Sequence, residues 1–234
     1  MQAIILAGGL GSRLKPFTLT FPKPLMPIGN QPILEILLRQ LRAGGCDRVT
    51  LAVNHLAELI MAFCGDGSKF GLEITYSRED EPQGTAAPLR LLDNLDDDFL
   101  MLNGDILTTL SFGSFFERHL AQRSDLTIFT HEKTVPIDLG VLELDDRKQF
   151  RRYIEKPVYR FTVSTGIYAM SRSMLSLIPR EGRFDMPDLV TAAGAAQRKI
   201  GIIDDAVRWL DIGRPDDYEI ANELFEANQR EFLP

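Results

Sequence analysis

The chain has 234 residues, 44% of them hydrophobic and 25% charged, with a net charge of −7. That length and composition suit a globular α/β chain with a full core and exclude a disordered one. An acidic balance without a basic stripe argues against nucleic acid as partner, and no apolar run reaches the ~20 residues that a membrane span needs.

Residues 2–7 read as a buried strand, not as the basic-then-apolar start of a leader. Leu34, Leu37, Leu38 and Leu41 recur at helical spacing and predict a helix over 33–43. Strands are expected over 47–53, 72–77, 99–103 and 126–130, alternating with helices over 56–64, 86–95 and 111–122. This βαβα rhythm implies a mainly parallel sheet with helices on both faces. Further on, 140–144, 149–155 and 161–170 are strand-like, with helices over 174–178 and 187–197. Residues 200–204 and 206–210 resemble a closing hairpin, and 215–230 a terminal helix with Pro215 in its first turn. The expectation is one domain over 1–234: a nucleotide-binding half, then a more antiparallel half that completes the site. No further domain is expected after the terminal helix. Cys46 and Cys64 read as small buried hydrophobes in a reducing, cytoplasmic setting. His55, His119 and His131 lack metal spacing and read as structural or surface residues, His119 on the polar face of its helix.

The most informative segment comes directly after the first strand. Leu6, Ala7, Gly8, Gly9, Gly11 and Ser12 form a glycine-rich turn whose N–H groups can line an anion-binding nest. Arg13 and Lys23 add positive charge where phosphates would sit. Pro16, Pro22, Pro24 and Pro27 stiffen the loop beyond the glycines. A dinucleotide fingerprint and a P-loop both fail on spacing.

Two aspartates end apolar strands just beside a glycine: Asp105 in Asn103-Gly104-Asp105, and Asp211 in Trp209-Leu210-Asp211-Ile212-Gly213. Ligands of open α/β sheets bind beyond the carboxyl ends of strands, and Mg²⁺ takes one or two carboxylates plus substrate phosphates. Asp105 alone is equally well a turn aspartate; the second, similarly placed acid favours the metal. Between residues 80 and 89, Gly84 permits close backbone approach, and Glu81 or Gln83 could read a base edge. An ordinary turn with Thr85 as N-cap explains that stretch equally well. Asp96-Asp97-Asp98 precedes a strand and reads as a solvated turn, against a glycosyltransferase metal motif.

The loop over residues 8–18, with Pro22-Lys23-Pro24, resembles the signature of the sugar-phosphate nucleotidyltransferases, Gly-Gly-x-Gly-x-Arg-Leu-x-Pro-x-Thr followed by Pro-Lys-Pro. The resemblance runs on through Gly213. It implies a single-domain GT-A or Rossmann-like mixed sheet and transfer of a nucleoside monophosphate from an NTP to a sugar 1-phosphate. It assigns the triphosphate to Arg13, the reacting phosphate to Lys23, and Mg²⁺ to Asp105 and Asp211. The same resemblance implies base contacts at Glu81, Gln83, Gly84 and Thr85, and sugar-phosphate contacts at Asn103, Gly140, Glu155, Lys156 and Thr165. Gly84-Thr85-Ala86-Ala87-Pro88-Leu89 looks most like the guanylyl-transferring members that take mannose 1-phosphate. Ala87 and Gln83 depart from their Gly and apolar residue, so UTP or dTTP with glucose 1-phosphate is the alternative. A non-catalytic nucleotide-sugar sensor is the alternative of another class; intact Arg13, Lys23, Asp105 and Asp211 favour the enzyme. The resemblance leaves a homo-oligomer open.

Overall fold

The computed structural model describes residues 1–79 and 83–233. The first half contains β1 (Gln2–Leu6), β2 (Pro27–Ile28), β3 (Gln31–Pro32), α1 (Ile33–Ala43), β4 (Arg48–Val53), α2 (Ala57–Cys64), β5 (Glu73–Arg78), β6 (Asp98–Asn103) and β7 (Ile106–Thr108). The second half adds α3 (Phe112–Gln122), β8 (Leu126–Pro136), β9 (Val141–Leu144), β10 (Phe150–Ile154), β11 (Val158–Ser171), α4 (Met186–Ala195), β12 (Ile200–Asp204), β13 (Trp209–Asp211) and α5 (Pro215–Phe232).

Seven strands form the central sheet, in the order β12-β8-β11-β6-β1-β4-β5. β1 pairs in parallel with β4 and β6, and β4 with β5, while β11 runs antiparallel to both β6 and β8. Strands covered on both faces must be apolar throughout, and Phe99, Leu100, Met101 and Leu102 are all fully buried. One face packs Ile5, Leu100 and Leu102 against Leu34, Leu37, Leu41, Phe115 and Phe225 of the helices. The other packs Ile4, Phe99, Met101 and Tyr168 against Leu89, Met174 and Leu189. Among the described residues, no helix is long and apolar enough to cross a membrane.

The expected helix over 86–95 is only a 3₁₀ turn, Ala87–Leu91. Its opening N–H groups, on Ala86 and Ala87, donate to Phe184 O, and Arg90 is drawn to Pro179 O at 2.7 Å, so the turn ends at an extended Leu92. Residues 172–177 likewise form a 3₁₀ turn. The expected closing hairpin does not form. β12 joins β8 as a parallel edge, and β13 pairs with β7; alternation specifies a strand's faces but not its neighbour. His119 is not on a polar face. It is buried, with Nδ1 2.7 Å from Thr127 Oγ1 and Nε2 3.2 Å from Asp98 Oδ1. Cys46 and Cys64 are buried thiols, pushed up by burial to about 11 and about 12.

Candidate active site

β1 delivers the glycine turn to the carboxyl edge of the sheet. Gly11 sits at φ +58°, a region costly for other residues, and its carbonyl accepts from Leu14 N and Thr18 Oγ1, both at 2.8 Å. A Cβ there would fall 2.7 Å from Thr18 Cγ2. The turn is thereby tied to the segment that carries Arg13. Leu6, Gly8, Gly9, Gly11 and Ser12 wall a cleft of about 320 Å³, closed opposite by Gly84 and Thr85. Ala7 stands behind this wall, buried, its N–H donating to Ala52 O at 2.8 Å.

The opposite wall is joined to a distant part of the chain. Gly84 has φ +107°, and a Cβ on it would lie 2.5 Å from Phe184 O. Phe184 N donates to Gln83 O at 2.8 Å, Thr85 N to Asp185 Oδ1 at 2.9 Å, and Met186 N to Thr85 Oγ1 at 2.8 Å. Thr85 therefore caps the start of α4, not its own segment. Arg183 and Asp185 line the cleft as a result. Sequence reasoning misses both, because nothing local links them to Gly84. The Gln83 side-chain oxygen accepts from Arg90 and does not line the cleft. Glu81 lies outside the described residues. Glu79, at the end of β5, does line the cleft, and burial holds its carboxyl above the usual range. The strand-end rule that selects Asp105 could have selected Glu79 as well.

Asp105 and Asp211 come together because β7 and β13 pair. Asp211 is opposite Ile106, and Ile212 N donates to Asp105 O at 3.1 Å. Burial first, and then the facing charge of Asp105, raise the Asp211 carboxyl, against the pull of Lys23 and Arg13. Lys23, nearly buried, ion-pairs with Asp105 Oδ2. The Arg13 guanidinium lies flat beside Gly213, 3.3 Å from where a Cβ would stand. Two carboxylates and two cations from three separate stretches of chain thus share one corner of the sheet. Asp105 and Asp211 are half-buried carboxylates that face one another, and a divalent cation held by both would offset their repulsion.

The sugar-side residues divide. Glu155 Oε2 accepts from Tyr153 Oη at 2.8 Å, and the Tyr153 ring covers Gly140, so Gly140 and Glu155 share one corner of the β9–β10 ribbon. Lys156 is next in the chain, exposed, at φ +42°. Asn103 packs its amide against Gly166. Thr165 is buried, its hydroxyl donating to Phe129 O at 2.7 Å while Trp209 Nε1 donates to its carbonyl. Its side chain braces the β8–β11 pair.

A family model described as Nucleotidyl transferase matches residues 2–228. The chain is 32% identical to a probable mannose-1-phosphate guanylyltransferase 1 of Oryza sativa subsp. japonica, over 100% of this chain and 67% of that protein. It is 34% identical to a UTP–glucose-1-phosphate uridylyltransferase of Synechocystis, over 93% of this chain and 61% of that protein. Among solved structures, HddC from Yersinia pseudotuberculosis superposes with a TM-score of 0.74 at 26% identity, covering 96% of this chain and 99% of that one. A second HddC structure, complexed with GMP-PN, gives 0.72 at 25% identity.

Proposed function

The chain belongs to the nucleotidyl transferase family, and from that premise we propose that it joins a nucleoside triphosphate to a sugar 1-phosphate, giving an NDP-sugar and pyrophosphate. The observation that carries the reading is the meeting of Arg13, Lys23, Asp105 and Asp211 beside a cleft walled by the glycine turn.

A sugar 1-phosphate oxygen attacks the α-phosphorus, forming a new P–O bond. The bond from that phosphorus to the bridging β-oxygen breaks, and pyrophosphate leaves with the electron pair. The nucleophile is already anionic and needs no general base, so catalysis consists of alignment and charge neutralisation. Arg13 and Lys23 hold and neutralise phosphate oxygens, Arg13 through a planar fork suited to two oxygens at once. The turn N–H groups track the triphosphate past the base cleft. Asp105 and Asp211 would hold Mg²⁺, which when bound neutralises phosphate oxygens at the reacting centre. Glu155 and Gly140 accept the sugar, and Lys156 meets its phosphate.

For the base, guanine is the proposal, with mannose 1-phosphate or a related manno-configured sugar as acceptor. The guanylyltransferase relative supports it, and so does the chemistry of the cleft: the Glu79 carboxylate can accept from guanine N1–H and N2–H₂. The protein works in the cytoplasm in this reading. The test is a matrix of nucleoside triphosphates against sugar 1-phosphates with Mg²⁺, reading pyrophosphate. Release with one dominant pair supports the reading, and no release from any pair overturns it.

A further inference from the structure

A second cleft, of about 410 Å³, begins where the base cleft ends. Ser12 lines the first and its neighbour Arg13 the second, so the two clefts meet the chain at the end of the glycine turn. Around the second cleft stand Arg13, Lys133, Trp209, Asp211, Arg214 and Asp217. Lys133 projects from β8 on the side of His131, whose ring lies 5.5 Å from Trp209. The neighbouring Glu132 faces the other way and pairs with Arg160. Asp217 accepts from Gly213 N at 3.2 Å, and Asp211 faces Asp105. Among the described residues, none of Arg13, Lys133 and Arg214 has a carboxylate within ion-pair distance. Three cations against the two carboxylates of Asp211 and Asp217 leave the lining net positive, a field that favours an incoming anion.

Arg214 carries a second, independent signal. It is the N-cap of the 18-residue α5, with φ −137° and no side-chain cap bond. Ser, Thr, Asp and Asn are the residues that satisfy this position, and a cation there opposes the helix dipole. The guanidinium at this rim caps nothing, and Asp216 and Asp217 in the first turn are left to answer the dipole.

We propose that Lys133 and Arg214, with Arg13, form a receptor for phosphate oxygens on the far side of Asp211 from the base. The inference rests on the nucleotidyltransferase reading for the identity of the anion. Two parts of the reaction carry that chemistry: the β- and γ-phosphates that leave as pyrophosphate, and the phosphate of the sugar substrate. Neither cation belongs to the glycine signature.

The experiment uses the full chain with Lys133→Gln, Arg214→Thr and the double variant. Pyrophosphate with Mg²⁺ is titrated onto the protein without turnover. KM is then measured for pyrophosphate in the reverse reaction, and for NTP and sugar 1-phosphate in the forward one. The double variant is expected to weaken the phosphate ligand at least about tenfold. A rise confined to pyrophosphate and NTP assigns the site to the leaving group; a rise confined to the sugar 1-phosphate assigns it to the acceptor. Arg214→Thr is expected to raise Tm while weakening binding, since threonine is the better cap; a purely structural arginine would give the opposite Tm and unchanged binding. Unchanged pyrophosphate affinity together with unchanged KM values overturns the proposal. Lack of turnover by the wild-type protein with every substrate pair would refute the proposed reaction, while the direct titration still decides the anion site.

Discussion

Replacing Glu79 by glutamine tests base recognition at an acidic side chain that lines the base cleft just past the end of the β5 strand. Guanine presents two donors side by side, N1–H and N2–H₂. A carboxylate accepts both in charge-assisted bonds, each contributing about 1.5–3 kcal/mol. A glutamine keeps one acceptor and turns an NH₂ donor toward a guanine donor. Loss of one bond with an unpaired donor left behind amounts to about 2–4 kcal/mol, or roughly 30- to 1000-fold in kcat/KM for GTP. Uracil instead has one donor between two acceptors, which an amide matches better, so activity with UTP should hold or rise. Burial already raises the Glu79 carboxyl, so a neutral amide should leave Tm unchanged or higher. The assay is initial rate against GTP and UTP at fixed sugar 1-phosphate, with Tm as the folding control. A well-folded Glu79→Gln enzyme that keeps GTP kcat/KM within about threefold of wild type would remove Glu79 as the reader. Gln83→Leu is the companion: its amide oxygen is engaged by Arg90, so the order of preference among bases should stay as it is.

Asp105→Asn and Asp211→Asn should each lower kcat by about a hundredfold or more, since each removes a carboxylate from the proposed metal pair; near-normal turnover in a folded variant excludes that residue from the metal site. Gly84→Ala must abandon φ +107° or push against Phe184 O, costing about 1–3 kcal/mol of strain; the expected result is a lower Tm together with a higher KM for the nucleotide, and a variant with both unchanged contradicts the tight closure described. His119 should make stability pH-dependent. Burial lowers its pKa from the ordinary 6.5, so the unfolded chain takes up the proton first as pH falls. The stabilising contribution is complete above about pH 6.5 and is lost as pH drops through the lower, folded value. Denaturant titrations between pH 5 and 8 should show this slope in the wild type and not in His119→Gln; equal slopes would contradict it.

Local physics carries the parts of this protein that its sequence determines alone. The β1 run, the glycine turn, Arg13 and the prolines after it lie within one stretch, and their roles follow from φ preferences, apolar burial and charge at neighbouring positions. α1 and α5 are legible because a single apolar face repeats along each. Asp105 and Asp211 can each be recognised as an acid closing an apolar strand. Their facing one another depends on β13 pairing with β7 and not with β12, a choice that side-chain alternation does not encode. The same limit separates Glu79 from Gln83. Residues so close together in sequence are equivalent as candidates until the fold draws Gln83 to Arg90 and closes Gly84 against Phe184. Lys133 and Arg214 are ordinary surface cations in the sequence, and only the convergence of β8, the glycine turn and the start of α5 gathers them with Arg13 around one cleft, because packing between distant segments decides which charges become neighbours.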